Sequence, residues 1–140
     1  MRSYKRIEFL IGDFISRNYR SAIEVGVGKN MEAARICADR GMHICCTDIK
    51  PISPLDGIKT FRDDIFSPTV SIYQGAEVIY SIRPGVEMVP PLISLARIID
   101  ADLLVYHMGF EIYESGEERV DCGVILHRYY KRQKPSKSED

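Results

Sequence analysis

The spacing of apolar residues divides the chain into alternating helix-like and strand-like segments. Ile7, Leu10, Ile11, Phe14 and Ile15 recur at the three- and four-residue steps of one helical face, predicting a helix over 4–19 with a possible cap at Ser3; Gly12 weakens that pattern slightly. A short apolar run at 21–25 reads as a strand, and small residues Ala33, Ala34, Cys37 and Ala38 share one side of a helix over 30–40 that Gly41 stops. Strands follow at 43–47 and, beyond a loop carrying Pro51 and Pro54, at 58–61. A brief helix over 68–73 leads to a strand at 76–82, and Pro90 and Pro91 open a helix with a buried stripe of Leu92, Leu95, Ala96 and Ile99. Residues 102–107 are nearly all apolar, as a strand buried on both faces should be. Glu111, Glu114, Glu117 and Glu118 fall in a glycine-containing loop, 122–130 reads as the last strand, and 131–140 as a disordered polar tail. Strands alternating with helices predict the α/β class, with a mostly parallel sheet covered on both faces.

At 140 residues and 45% hydrophobic, the chain has room for one cored domain, assigned to residues 1–130. Its 19 basic and 20 acidic residues leave a net charge of −1, so no overall field steers it toward nucleic acid or an acidic membrane. No apolar run reaches the roughly 18 residues of a membrane span and no signal peptide is visible, so a cytoplasmic protein is expected. Cys37, Cys45, Cys46 and Cys122 form no Cys-x-x-Cys pair, and the adjacent Cys45 and Cys46 must point to opposite faces of a strand; they read as packing residues, with no metal site expected. His43, His107 and His127 stand apart in sequence, where packing or surface roles are commoner than catalysis. Near the end, Arg128, Lys131, Arg132, Lys134 and Lys137 follow one another closely beside Tyr129 and Tyr130, a small basic cluster able to contact RNA phosphates.

The chemistry concentrates after the first strand. Gly26 and Gly28 let the backbone turn sharply and let a ligand approach the main chain, and the helix beyond offers free N–H groups. Asp48 closes the next strand 20 positions after Gly28, the offset at which such folds place a carboxylate on a ribose hydroxyl. A dinucleotide usually wants a third glycine where this chain has Met31, and its pyrophosphate would be repelled by Glu24, Asp48 and Asp63 or Asp64. A sulfonium would be attracted: a charge pair 4 Å apart is worth about 1 kcal/mol in water and about 4 kcal/mol at a protein surface. Lys29 pulls the other way, or pairs a ligand carboxylate.

The string Glu24-Val25-Gly26-Val27-Gly28-Lys29-Asn30, with Asp48 after His43-Ile44-Cys45-Cys46-Thr47, resembles the S-adenosylmethionine (SAM) motif of class I methyltransferases, and especially a small uncharacterised archaeal family with a shortened Rossmann-like fold. The resemblance spans residues 5–130. It implies a three-layer domain with strand order 3-2-1-4-5 plus an antiparallel C-terminal strand, a first helix closing one side of the cofactor pocket, and Asp64 with Ile65 facing the adenine, Asp63 being the alternative to Asp64. Cofactor contacts would then come from Glu24, Gly26, Gly28, Asp48, Asp64 and Ile65. After the fourth strand, methyltransferases acting on nucleic-acid bases or amines often carry Asn-Pro-Pro-Tyr; this chain has Ser81-Ile82-Arg83-Pro84 and lacks the amide or carboxylate that holds a target amino group. Tyr80, Arg83, Glu87 and His107 are the expected acceptor-side residues. The leading expectation is a SAM-binding domain and minimal methyltransferase. The alternatives are a non-catalytic adapter and a regulatory module sensing NAD or an adenine nucleotide.

Overall fold

The computed structural model describes residues 3–109 and 111–134, with side chains from residue 6 onward; the Ser3 side chain expected as a cap and the last six tail residues lie outside the described set. In chain order the elements are α1 (Ser3–Asn18), β1 (Ser21–Val25), α2 (Glu32–Asp39), β2 (His43–Asp48), β3 (Lys59–Arg62), α3 (Val70–Tyr73), β4 (Val78–Ile82), α4 (Val89–Ile99), β5 (Asp102–Tyr106), β6 (Glu118–Asp121) and β7 (Ile125–Tyr130). They build one seven-stranded sheet in the order β3-β2-β1-β4-β5-β7-β6, parallel through β5 and antiparallel at β7 and β6. The order in which strands are added reverses between β1 and β4, leaving a crevice beyond the carboxyl ends of those strands.

Alternation along the strands sorts the core into two layers. Ile23, Val25, Ile79, Leu103 and Val105 meet Tyr73 of α3 and Leu92, Leu95 and Ala96 of α4. On the other face Ala22, Ile44, Cys46, Val78 and Leu104 meet Ile11 and Ile15 of α1 and Ala33, Ala34 and Cys37 of α2. Cys46 is wholly buried on that face and Cys45 packs on the opposite one, as adjacent strand residues must. Gly12, a weak point in the helical pattern, is where α1 and α2 touch: a Cβ there would lie 2.8 Å from the Ala33 carbonyl oxygen.

Three boundaries differ from expectation. The acidic loop ends in a strand, β6, because Val120 packs on the α1 layer while Glu118 pairs with Arg128 across the hairpin. The last strand therefore starts at Ile125, and Cys122 to Val124 form its turn. Where disorder is expected from Lys131, the backbone N–H of Arg132 donates to Asp102 (2.7 Å) and those of Gln133 and Lys134 donate to Asp100 (2.9 and 3.0 Å). Among the described residues no helix is long and apolar enough to cross a membrane.

Candidate functional site

The turn after β1 is held by backbone geometry. Gly26 and Gly28 adopt φ of 72° and 60°, a region that costs an L side chain about 1–2 kcal/mol. The N–H groups of Gly26 and Val27 donate to the Thr47 carbonyl (2.8 and 3.2 Å), which ties the turn to the end of β2. The next N–H, of Gly28, donates to Asp48 Oδ2 at 2.8 Å, and Asp48 Oδ1 accepts from the Lys50 N–H at 2.9 Å. A carboxylate offers about four lone-pair sites, so each oxygen keeps room for a second donor such as a ribose hydroxyl.

A cavity of about 280 Å³ opens beside this turn, lined among others by Gly26, Asp48, Asp64, Ile65, Arg83 and Met88. Gly26 matters here for space as well as for φ, since a Cβ would approach the Met88 methyl to 3.4 Å. Ser81, buried, donates to the Val25 carbonyl (2.8 Å) and fixes β4 against β1 beneath the turn. Asp63 also lines the cavity, but its carboxylate accepts from the Tyr73 hydroxyl (2.7 Å) and the Thr69 N–H (3.1 and 3.2 Å). Among the described residues Asp64 accepts the short-range N–H of Phe66 alone (3.0 Å), so of the two adjacent acids it keeps the greater capacity for a ligand. Ile65 is buried at the cavity floor, while Ile49 and Phe66, 59% exposed each, flank the mouth.

Two expected members stand elsewhere. Glu24 and Tyr80 are register partners on β1 and β4, so their side chains share a face, and that face turns to α1 and α2 rather than to the cavity. Tyr80 donates to Glu24 Oε1 at 2.9 Å in a fully buried contact. Burial, opposed by that hydrogen bond and reinforced by the charge of Glu8, pushes the Glu24 carboxyl up to about 8, so at neutral pH it is mostly protonated. The expected contribution of Glu24 to an acid-lined cofactor pocket and of Tyr80 to the acceptor side are both corrected: strand alternation sends them inward. Glu87 is exposed, its carboxylate folded against Gly85 on the short turn Val86–Met88 before α4.

Arg83 does reach the crevice. It sits at φ 56°, its N–H donates to the Tyr106 carbonyl (2.7 Å), its guanidinium lies 5.4 Å over the Tyr106 ring, and Nη1 bonds Glu8 Oε2 at 2.8 Å. Glu8, 2% exposed, precedes Ile11 by three and Ile15 by seven on the buried stripe of α1, a position that its charge disguises in the sequence. Among the described residues its Oε1 is buried without a partner. His107, beyond β5, lies against His127 at 5.3 Å between ring centroids, a pairing of residues twenty positions apart that antiparallel β7 creates.

Among solved structures, an RNA methyltransferase of Salinibacter ruber in complex with S-adenosyl-L-homocysteine (SAH) is similar over 100% of this chain and 97% of its own, with a TM-score of 0.60 and 14% identity; this likeness is one of fold. A relative from Pyrococcus horikoshii is 39% identical over 126 residues, covering 85% of this chain and 96% of its own. Another, from Archaeoglobus fulgidus, is 35% identical over 96 residues, covering 68% and 74%. The profile of the uncharacterised family UPF0146 matches residues 8–127, and with those relatives bearing the same family name, the chain belongs to UPF0146.

Proposed function

We propose that the cavity beside Gly26 and Asp48 binds SAM and that the chain is a minimal methyltransferase. The observation that carries this reading is the bond from the Gly28 N–H to Asp48 Oδ2 at the edge of a cavity whose floor is Ile65 and whose side is Asp64. Asp48 holds the ribose, Asp64 accepts from the adenine amino group, Ile65 and Ile49 cover the ring, and the bare backbone at Gly26 admits the methionyl chain. The likeness to a protein bound to SAH supports the choice of cofactor. Four unpaired cysteines accord with a cytoplasmic setting.

Methyl transfer from a sulfonium to a nucleophile gives a neutral thioether leaving group, so alignment and exclusion of water carry most of the catalysis. The acceptor approaches from the side of Arg83, where the loop after β4 borders the crevice. Glu24, neutral and hydrogen-bonded under the turn, braces β1 against β4 rather than pairing the sulfonium.

Calorimetric titration with SAM, SAH and NAD tests the reading. SAM and SAH bind and NAD does not. A hydrogen bond to a charged group is worth about 1.5–3 kcal/mol, so Asp48→Ala weakens SAM by roughly 10- to 100-fold. No heat with SAM or SAH from a folded protein ends the proposal, and NAD binding alone would favour the dinucleotide-sensing module.

A further inference from the structure

Two cavities, of about 360 and 290 Å³, adjoin at the amino ends of β1 and β2, where Ser21, His43 and Gly75 line both. They lie at the opposite end of the strands from Gly26, and together they reach the size of a small-molecule site. The larger one opens because α3 is only four residues long. Such a helix rises about 6 Å and leaves the sheet face uncovered at the amino ends of β1, β2 and β3. Ile23, Cys45, Ile72 and Ala76 give this cavity an apolar floor.

Register places the polar groups around that floor. Neighbours paired across a parallel sheet point to one face, as do residues two apart on a strand. Ser21 pairs with His43 and Lys59 with Cys45, so Ser21, His43 and Lys59 stand on the same face as the apolar floor. Arg20 and Arg132 line the smaller cavity, Arg132 being held there by its N–H bond to Asp102 (2.7 Å). Arg20, His43 and Lys59 are exposed, and among the described residues none of these three side chains makes a hydrogen bond or ion pair. The acids are turned inward. Glu77, buried, accepts the Arg20 N–H (2.8 Å) and lies 3.7 Å from Arg132 Nη1, while Asp102, also buried, takes up Tyr19, Arg128 and the Arg132 N–H. Among the lining residues three cations, Arg20, Lys59 and Arg132, therefore face one acid, Glu77, a surplus of two positive charges with His43 neutral.

We infer that the joined cavities bind a small phosphomonoester with an apolar body, its phosphate among Arg20, His43, Lys59 and Arg132 and its body on the floor of Ile23, Cys45 and Ile72. A phosphomonoester is a dianion above a second pKa of about 6, which matches the surplus, whereas a carboxylate brings one charge. Guanidinium groups suit phosphate because their N–H groups can meet two of its oxygens at once. The apolar floor beside the cations favours an esterified phosphate over the inorganic ion, which would leave that floor wet. This site stands independently of the SAM reading.

The test titrates full-length, nitrogen-labelled protein at about pH 7.5 with phenyl phosphate, inorganic phosphate and phenol, following backbone amide and histidine ring signals. Phenyl phosphate joins an aromatic body to a phosphate dianion and carries no adenosine to enter the cavity beside Gly26. It shifts the His43 ring and the amides of Ser21 and Gly75 saturably, and leaves the amides of Gly26 and Ile65 and the rings of His107 and His127 in place. Inorganic phosphate and phenol, each half of the probe, bind roughly tenfold or more weakly. The double variant Arg20→Gln, Lys59→Gln changes only exposed side chains, so it keeps the native amide spectrum while phenyl phosphate binding falls by roughly tenfold or more. Three results overturn the site: no saturable shift at His43, inorganic phosphate binding as tightly as phenyl phosphate, or undiminished binding by the folded double variant.

Discussion

At the scale of single residues, position on the strand decides which acid is chemical and which is structural. Glu24 sits two residues before Gly26, next to the Gly26–Gly28 turn in sequence, yet alternation buries it beside Tyr80 and Glu8. Sequence spacing alone does not reveal this, because the face of β1 that turns to solvent or ligand depends on which helices cover it. The consequence is a pH dependence of folding. Glu24 has a folded-state pKa of about 8 against an ordinary 4.5, so between those values the native state holds a proton that the unfolded chain releases. Its contribution is fully present below 4.5 and lost as pH rises toward 8, amounting to on the order of 3–5 kcal/mol at about 1.4 kcal/mol per unit. Glu24→Gln keeps a neutral group in the same place and flattens that slope, which thermal unfolding followed from pH 5 to about pH 8 will read. Equal slopes in both proteins would show that Glu24 is ionised in the folded state. At Gly26 the prediction is steric: Gly26→Ala forces a left-handed φ on an L residue and sets a methyl against Met88, lowering stability by about 1–2 kcal/mol and weakening SAM further than the stability loss explains. Unfolding in urea and calorimetry on the same sample separate the two effects.

At the scale of elements, the parallel half and the antiparallel strand β7 were legible in the sequence, and the edge strand β6 was not. The apolar runs of β1, β2, β4 and β5 and the stripe of α4 announce themselves because burial on both faces leaves little polar content to confuse the period. Strand β6, Glu-Arg-Val-Asp with one half-buried residue, carries no such pattern: it is held by backbone pairing with β7 and by Arg128 reaching Glu118. The same edge hid the histidine pair, since only antiparallel pairing puts His127 opposite Val105 and thus near His107. The turn of Gly26 and Gly28 with Asp48 was legible because its offset is set by one crossover, a local length. Gly12 has a role that helix propensity alone does not show. A helical glycine reads as a loss of about 1 kcal/mol against alanine, whereas here it admits the backbone of α2. Gly12→Ala therefore destabilises by roughly 1–3 kcal/mol despite its better helix propensity, because the Ala33 carbonyl 2.8 Å from the new Cβ is backbone and must move. A denaturation midpoint equal to or above that of the native protein would mean that α1 and α2 separate freely.

At the scale of the whole molecule, the two ends of the sheet divide the work. The cavity beside Gly26 lies beyond carboxyl ends, where the loops after β1, β2, β3 and β4 converge. The amino ends are stitched by polar contacts: Glu77 accepts from the Arg20 N–H (2.8 Å), and Asp102 accepts from the Tyr19 hydroxyl, Arg128 and the Arg132 N–H. Asp102 opens β5 and His107 follows its end, a separation of about 15 Å at roughly 3.3 Å per residue. Sites that far apart with no shared partner act additively. Asp102→Ala strips three partners from a buried carboxylate position and releases the segment 131–134, so it lowers stability by about 2–4 kcal/mol. On the proposed reading its SAM affinity stays within about twofold of native at a temperature where both proteins are folded, because the proposed site lies at the other end of the strands. Urea unfolding and calorimetry on the one variant read both quantities. A large loss of SAM affinity in a folded Asp102→Ala protein would mean that β5 transmits strain along its length, and that the carboxyl-end site depends on the amino-end stitching rather than resting on a sheet already rigid.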